Sequence, residues 1–225
     1  MKKVLNIAHR GYTRRHPENT LEAFQDALEL DVDGIEFDVQ ETADGRFFIF
    51  HNDDIDGRPI LQLRSDEMQR KRIRGKFRIP TLEQALKLCG KGTGLIVELK
   101  QVRSLEKLLS MLRDYADTER MALVSFDAEL VARMAELAPD IRRGVISDAP
   151  LERPSAVTHH TGSSAMGVRC QDLRPDLIAQ LHEAGTMAFV WGCPDAASVR
   201  KALSFDIDGI ISDYPEVVKE VQSAD

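Results

Sequence analysis

Eight short β-rich runs alternate with amphipathic or helix-like stretches along 225 residues, and this alternation predicts an α/β fold, a (β/α)8 TIM barrel. Two further observations narrow the class. Such barrels typically need ~250 residues, close to the length here. A doubly wound open sheet would announce itself with a glycine-rich phosphate turn after the first strand, and neither GxGxxG nor GxxxxGK[ST] occurs. No linker, internal repeat or low-complexity tract interrupts the chain, so 1–225 reads as a single domain.

The elements follow in order. The apolar run "VLNIA" (4–8) is strand one, and it hands over directly to His9, Arg10 and Gly11. "TLEAFQDALEL" is the first helix, with Thr20 placed as its N-cap and Glu22 in the first turn. "GIEFDV" (34–39) is strand two. After it comes "QETADGRFFIFHNDD", where Asp44-Gly45 links two β-like runs as a hairpin turn does, and "RFFIF" ends at His51. Residues 52–78 are polar and basic, with "RKRIRGK" at 70–76, and read as a loop or short helical excursion over the barrel mouth. "TLEQALKLC" resumes the helical pattern behind Thr81, and "LIVELK" (95–100) is strand three. "SLEKLLSMLRDYA" puts Leu105, Leu108, Leu109 and Leu112 at i, i+3, i+4 and i+7, a one-sided apolar stripe. "MALVSF" (121–126), "RGVIS" (143–147), "AMGVR" (165–169), "MAFVW" (187–191) and "GIIS" (209–212) are the remaining strands. "DAELVARMAELA", "RPDLIAQLHEAG", "DAASVRKALS" and "YPEVVKEVQ" are helical stretches among them, while "DAPLERPSAVTHHTG", with two prolines, has the weakest helical pattern.

Composition excludes several classes. The formal charge of −7 and a pI near 5.4 argue against a nucleic-acid protein, which would show a basic stripe. Any anionic substrate must be held by local charge. Cys89, Cys170 and Cys193 are scattered and form no CxxC pattern, as expected of reduced thiols in the cytoplasm. The apolar run in "MKKVLNIAHRG" is too short for a signal-peptide core, and no run approaches the ~20 residues of a membrane span. A soluble, cytoplasmic protein with no integral membrane contact is expected.

Chemistry collects where barrel enzymes keep it, at the carboxyl ends of the strands. His9 and Arg10 end strand one, Glu36 and Asp38 lie in strand two, Glu98 and Lys100 in strand three, and His51 ends the hairpin. Strand side chains alternate, so Glu36 and Asp38 share a face opposite Ile35, Phe37 and Val39. Apolar residues suit the helix-covered outside of the wall, which turns the charged set inward. Two carboxylates ~4 Å apart repel by about 4 kcal/mol at an effective dielectric near 20. Lys100 balances one charge. A divalent cation balances more, and all-oxygen ligation favours Ca2+ or Mg2+. Two histidines, an arginine, a lysine and such a cation make a toolkit for a phosphodiester. No serine or cysteine nucleophile is in view.

These motifs resemble those of the glycerophosphodiester phosphodiesterases. The resemblance runs through "HRG", "PENT", "GIEFDVQETADG", "FIFHND", "IPTLEQAL" and "VELK", then "FVWG" and "DGIISDYP" in the last two strands. It implies a (β/α)8 barrel that uses a divalent cation to hydrolyse small-molecule glycerophosphodiesters to an alcohol and sn-glycerol 3-phosphate. Carried over by position, His9 looks like the base, His51 the acid, and Glu36, Asp38 and Glu98 the metal ligands. Arg10 and Lys100 match phosphate-contacting positions, Glu18 and Asn19 brace the mouth, and Trp191 flanks the substrate. Asn52 stands where the family often has Asp, and "GCPDAAS" after Trp191 lacks the Thr and Asn of the family's "WTVN". Both departures touch the rim that would recognise the alcohol. A lysophospholipase D-like or phospholipase C-like reaction on the same barrel, and a non-catalytic phosphodiester-binding barrel, are the alternative readings.

Overall fold

The computed structural model describes residues 3–149 and 152–224. Its parallel strands are β1 (Leu5–His9), β2 (Gly34–Glu41), β8 (Gly94–Leu99), β9 (Met121–Ser125), β10 (Arg142–Ile146), β11 (Ala165–Arg169), β12 (Met187–Trp191) and β13 (Gly209–Ser212). Each pairs with the next, and β1 pairs with both β13 (Ile7↔Ile211) and β2 (His9↔Glu36), which closes the barrel. The predicted strands fall within a residue or two of these bounds. β3 (Phe47–Ile49) lies outside the ring, antiparallel to β2 through Val39↔Ile49 and Glu41↔Phe47. No helix among the described residues is long and apolar enough to cross a membrane.

The helices between strands are α1 (Leu21–Glu29), α3 (Leu82–Cys89), α4 (Leu105–Tyr115), α5 (Ala128–Leu137), α6 (Pro154–Thr161), α7 (Pro175–Glu183), α8 (Ala196–Leu203) and α9 (Pro215–Ser223). Thr20 and Thr81 cap α1 and α3 through hydroxyls that accept from Ala23 N–H and Gln84 N–H. α6 forms despite its weak pattern. Pro154 starts it, where a missing N–H costs nothing, and Gly162 ends it at φ 60°. Pro150 and Leu151, in the same predicted segment, lie outside the described residues.

The alternation in β2 works as the sequence implies. Ile35, Phe37 and Val39 are buried in the layer between barrel and helices, with Phe24, Ala27, Leu82 and Leu86. Inside the ring, Ile7, Ile96, Val124, Ala165, Phe189 and Ile211 form a separate apolar plug. Above that plug the inward positions of β1, β2 and β8 turn charged.

The excursion after β3 is more structured than a loop. It contains two ribbons, β4 (Asp54–Ile55) with β5 (Arg58–Pro59) and β6 (Arg72–Ile73) with β7 (Phe77–Arg78), and a short helix α2 (Ser65–Arg70). Phe48, Ile60, Leu63, Met68 and Ile79 form its own small core. Beyond Phe48 these residues are spaced irregularly among polar ones, so no helical or strand period exposes them in the sequence.

Candidate active site

The site begins at a strained turn. Arg10 takes φ 55° and Gly11 φ 86° directly after β1. A Cβ on Gly11 would sit 2.7 Å from the Ala23 carbonyl carbon, so only glycine lets the chain turn away here against α1. The turn aims the Arg10 N–H at Glu36 Oε2 (3.0 Å) and the Arg10 side chain across the mouth. Its Nη1 donates to Glu18 Oε2 (3.0 Å), and its Nε lies 3.1 Å from Asp38 Oδ2. Asn19, also left-handed at φ 58°, is buried and donates from Nδ2 to Asp38 Oδ2 (2.8 Å), while its Oδ1 accepts from the Asp38 N–H (3.4 Å). The "PENT" segment thus braces the mouth as its position suggests.

Glu36, Asp38 and Glu98 are 3%, 0% and 5% exposed. One oxygen from each lies within 4.8 Å of the others, the separation at which the Coulomb cost computed from sequence applies. Lys100 Nζ sits 2.6 Å from Glu98 Oε1 and 3.8 Å from Asp38 Oδ1. Glu36 Oε1 and Asp38 Oδ1 remain buried with no hydrogen-bond partner. Burial, then the charges of Asp38 and Glu98, push Glu36 well above the ordinary carboxylate range. Glu98 is raised by burial and by Asp38, against the pull of Lys100. Buried, converging, partnerless carboxylate oxygens fit a hard divalent cation: they lack the one thing such an ion supplies.

Two imidazoles share the cavity with this cluster. His9 Nδ1 is 2.7 Å from Asp213 Oδ1, and its Nε2 faces Glu36 Oε2 at 3.9 Å. The hydrogen bond from His9 lowers the Asp213 pKa. Asp213 follows the last barrel strand in "SDYP", and the sequence reading missed it as a site residue. Its one signal in the sequence is its place directly after a barrel strand, a position an ordinary turn aspartate shares. His51 Nδ1 bonds Asn52 Oδ1 at 3.0 Å, so the amide oxygen does here what a carboxylate would do.

The cavity holds about 390 Å3, and its two walls differ in chemistry. His9, Arg10, Glu36, His51, Glu98 and Lys100 make the charged wall; Val124, Phe126, Ile146, Phe189 and Trp191 make the apolar one. Trp191 therefore lies where its position in strand seven suggests. Phe126, which sequence reading did not single out, is 43% exposed, edge-on to Trp191 at 6.1 Å, and Lys100 Nζ lies 5.5 Å from its ring centre. All eight predicted site residues except Asp38 line this one cavity, and Asp38 stands behind it, bonded to Asn19.

Known proteins share both sequence and shape. A curated glycerophosphodiester phosphodiesterase from Caldanaerobacter subterraneus is 29% identical over 96% of each chain. Crystal structures of glycerophosphodiester phosphodiesterases from Agrobacterium tumefaciens and Parabacteroides distasonis superpose with TM-scores of 0.85 and 0.86. Their identities are 28% and 25%, over 98% and 99% of this chain and 100% and 99% of theirs. The model of the glycerophosphoryl diester phosphodiesterase family matches residues 9–217, from His9 to the last helix, and this chain belongs to that family.

Proposed function

We propose that the protein hydrolyses glycerophosphodiesters to an alcohol and sn-glycerol 3-phosphate. The observation that carries this is one cavity that brings two imidazoles, Arg10 and Lys100 beside a cluster of three buried carboxylates. Glu36, Asp38 and Glu98 would hold Ca2+ or Mg2+, which supplies Lewis-acid polarisation of a bound phosphate. Arg10 and Lys100 hold its nonbridging oxygens. His9 keeps its Nδ1 proton on Asp213, which leaves the Nε2 lone pair to take the proton of the attacking oxygen. As that oxygen bonds to phosphorus, the bond from phosphorus to the alcohol oxygen breaks. Protonated His51, one N–H held by Asn52, gives its other proton to the departing alcohol.

Trp191 and the apolar wall contact the organic part of the substrate. That wall also favours a second reading, cleavage of lysophospholipids in a lysophospholipase D-like reaction. Three free, buried cysteines support a cytoplasmic location.

The test is glycerol 3-phosphate release from glycerophosphocholine, glycerophosphoethanolamine, glycerophosphoglycerol and lysophospholipids. Activity should vanish with chelator and return with Ca2+ or Mg2+. His51→Ala should lower kcat by ~10²–10⁴. Turnover at an undiminished rate in that variant would overturn the acid role, and failure of every substrate with every metal would favour a binding barrel.

A further inference from the structure

The chemistry above makes no use of the basic stretch 70–76. In the β6–β7 ribbon Arg72 stands opposite Arg78, and Ile73 opposite Phe77. Opposed residues share a face. Ile73 and Phe77 are half-buried on one face, while Arg72 and Arg78 are exposed on the other. Arg74 and Lys76, also exposed, flank Gly75 at the tip, where the Lys76 N–H closes the turn on Ile73 O at 3.1 Å.

Nearby basic residues are paired: Arg58 with Glu67, Arg70 with Asp66, Lys71 with Asp56. Among the described residues, none of Arg72, Arg74, Lys76 and Arg78 meets a carboxylate. Arg72 Nη1 donates to the carbonyls of Gln69 and Lys71, each at 2.7 Å, and Lys76 Nζ lies 5.1 Å from the Phe77 ring centre. Like charges directly opposed on an antiparallel pair are destabilising, and no carboxylate among the described residues offsets them. The ribbon packs against the connection that leads away from the mouth. Phe77 meets His16 edge-on at 5.8 Å, and His16 belongs to the β1–α1 connection that carries Arg10 and Glu18.

We propose that the β6–β7 ribbon docks this protein on an anionic phospholipid surface, with the active-site mouth turned toward the headgroups. A single soluble phosphodiester carries one negative charge and is met inside the cavity by Arg10 and Lys100. Four further cations in an outward array instead match a surface on which phosphates repeat. The chain carries −7 overall, so attraction to such a surface must come from a local cationic patch, and this ribbon supplies one. Attachment of this kind is peripheral, reversible and salt-sensitive.

The docking is independent of the reaction proposed above and is read without turnover. Purified protein is sedimented with vesicles of phosphatidylcholine alone, or with about a third phosphatidylglycerol. Binding is expected only to the anionic vesicles, and should fall at least tenfold between ~0.05 and ~0.5 M salt. The variant Arg72→Gln/Arg74→Gln/Lys76→Gln/Arg78→Gln should lose binding. It should keep kcat on soluble glycerophosphocholine and a thermal midpoint no lower than wild type, because repulsion is relieved. Arg74→Gln/Lys76→Gln, confined to the tip, gives a milder second variant that should bind at least threefold more weakly. Equal binding to both vesicle types, or a quadruple variant that binds as wild type, overturns the proposal. So does a wild type that ignores vesicles while the variant loses kcat/KM on the soluble substrate, which would make the ribbon a guide for free anions.

Discussion

His9 has two ring nitrogens, and the base role proposed for it depends on which of them carries the proton. Asp213 can only accept, so the 2.7 Å contact fixes the proton on Nδ1 and leaves Nε2 free beside the carboxylate cluster. Asp213→Asn can present an amide N–H to Nδ1 instead, which moves the imidazole proton to Nε2. Steady-state kinetics should then show kcat lowered by ~10²–10⁴ with KM and thermal midpoint held, and Asp213→Glu should recover part of the loss. A rise in KM, or lost stability with kcat intact, would make Asp213 a structural residue only. At this scale the sequence was most informative where it broke a rule. Glu36, Asp38 and Glu98 sit at strand positions that want Val or Ile, and that inversion marks them. Asp213 breaks no rule, because an aspartate after a strand is ordinary turn chemistry, and only the fold brings it 204 residues back to His9.

Strands and helices with a clear period were legible because one period satisfies both propensity and burial. The Leu105–Leu112 stripe is a helix with all four leucines buried. The excursion was legible as an interruption but its inner order was not, because its core is assembled from irregularly spaced apolar residues and its position is set by polar contacts. Asp44 is one of these. Its carboxylate accepts from Ser65 N–H (2.9 Å), Ser65 Oγ (2.7 Å) and Thr42 Oγ1 (2.8 Å), which pins the start of α2 to the β2–β3 turn. Burial would raise its pKa, but the bonds from Ser65 and Thr42 outweigh that and lower it from 3.8 to about 2. A depressed carboxylate stabilises the fold above its unfolded pKa, and the contribution is lost as pH falls through the folded value. Wild type should therefore exceed Asp44→Asn in stability in full above pH 3.8, with the gap closing toward about pH 2. Thermal melts of the pair at matched pH read this directly. A gap that persists unchanged at about pH 2 would show that the carboxylate charge is not what holds the excursion.

The molecule is closed by its two ends. β1 zips onto β13, Asn6 Nδ2 donates to Pro215 O at 2.8 Å, and Gln222 Nε2 donates to Val4 O at 2.8 Å. Ring closure joins residues more than 200 positions apart, so it comes late in assembly and binds the whole barrel into one cooperative unit. Asn6 is 4% exposed, and Asn6→Ala strands the Pro215 carbonyl. Urea unfolding should lose about 1–3 kcal/mol in a single transition, with kcat of the folded enzyme unchanged. A second, earlier transition would mean that the closing seam opens on its own. That the chain is a barrel with a charged face inward on its first three strands could be read from the sequence; that an apolar wall stands opposite could not, because Val124, Ile146, Phe189 and Trp191 come from strands far apart in sequence. The apolar wall has an optical consequence. Trp191 is the chain's single tryptophan, edge-on to an exposed phenyl ring, with a buried indole N–H that finds no acceptor among the described residues. Intrinsic indole emission from this protein is therefore a one-position signal from inside the reaction chamber. Any occupant that dries the ring or accepts from its N–H changes that emission, so arrival and departure can be timed in the unlabelled, native chain.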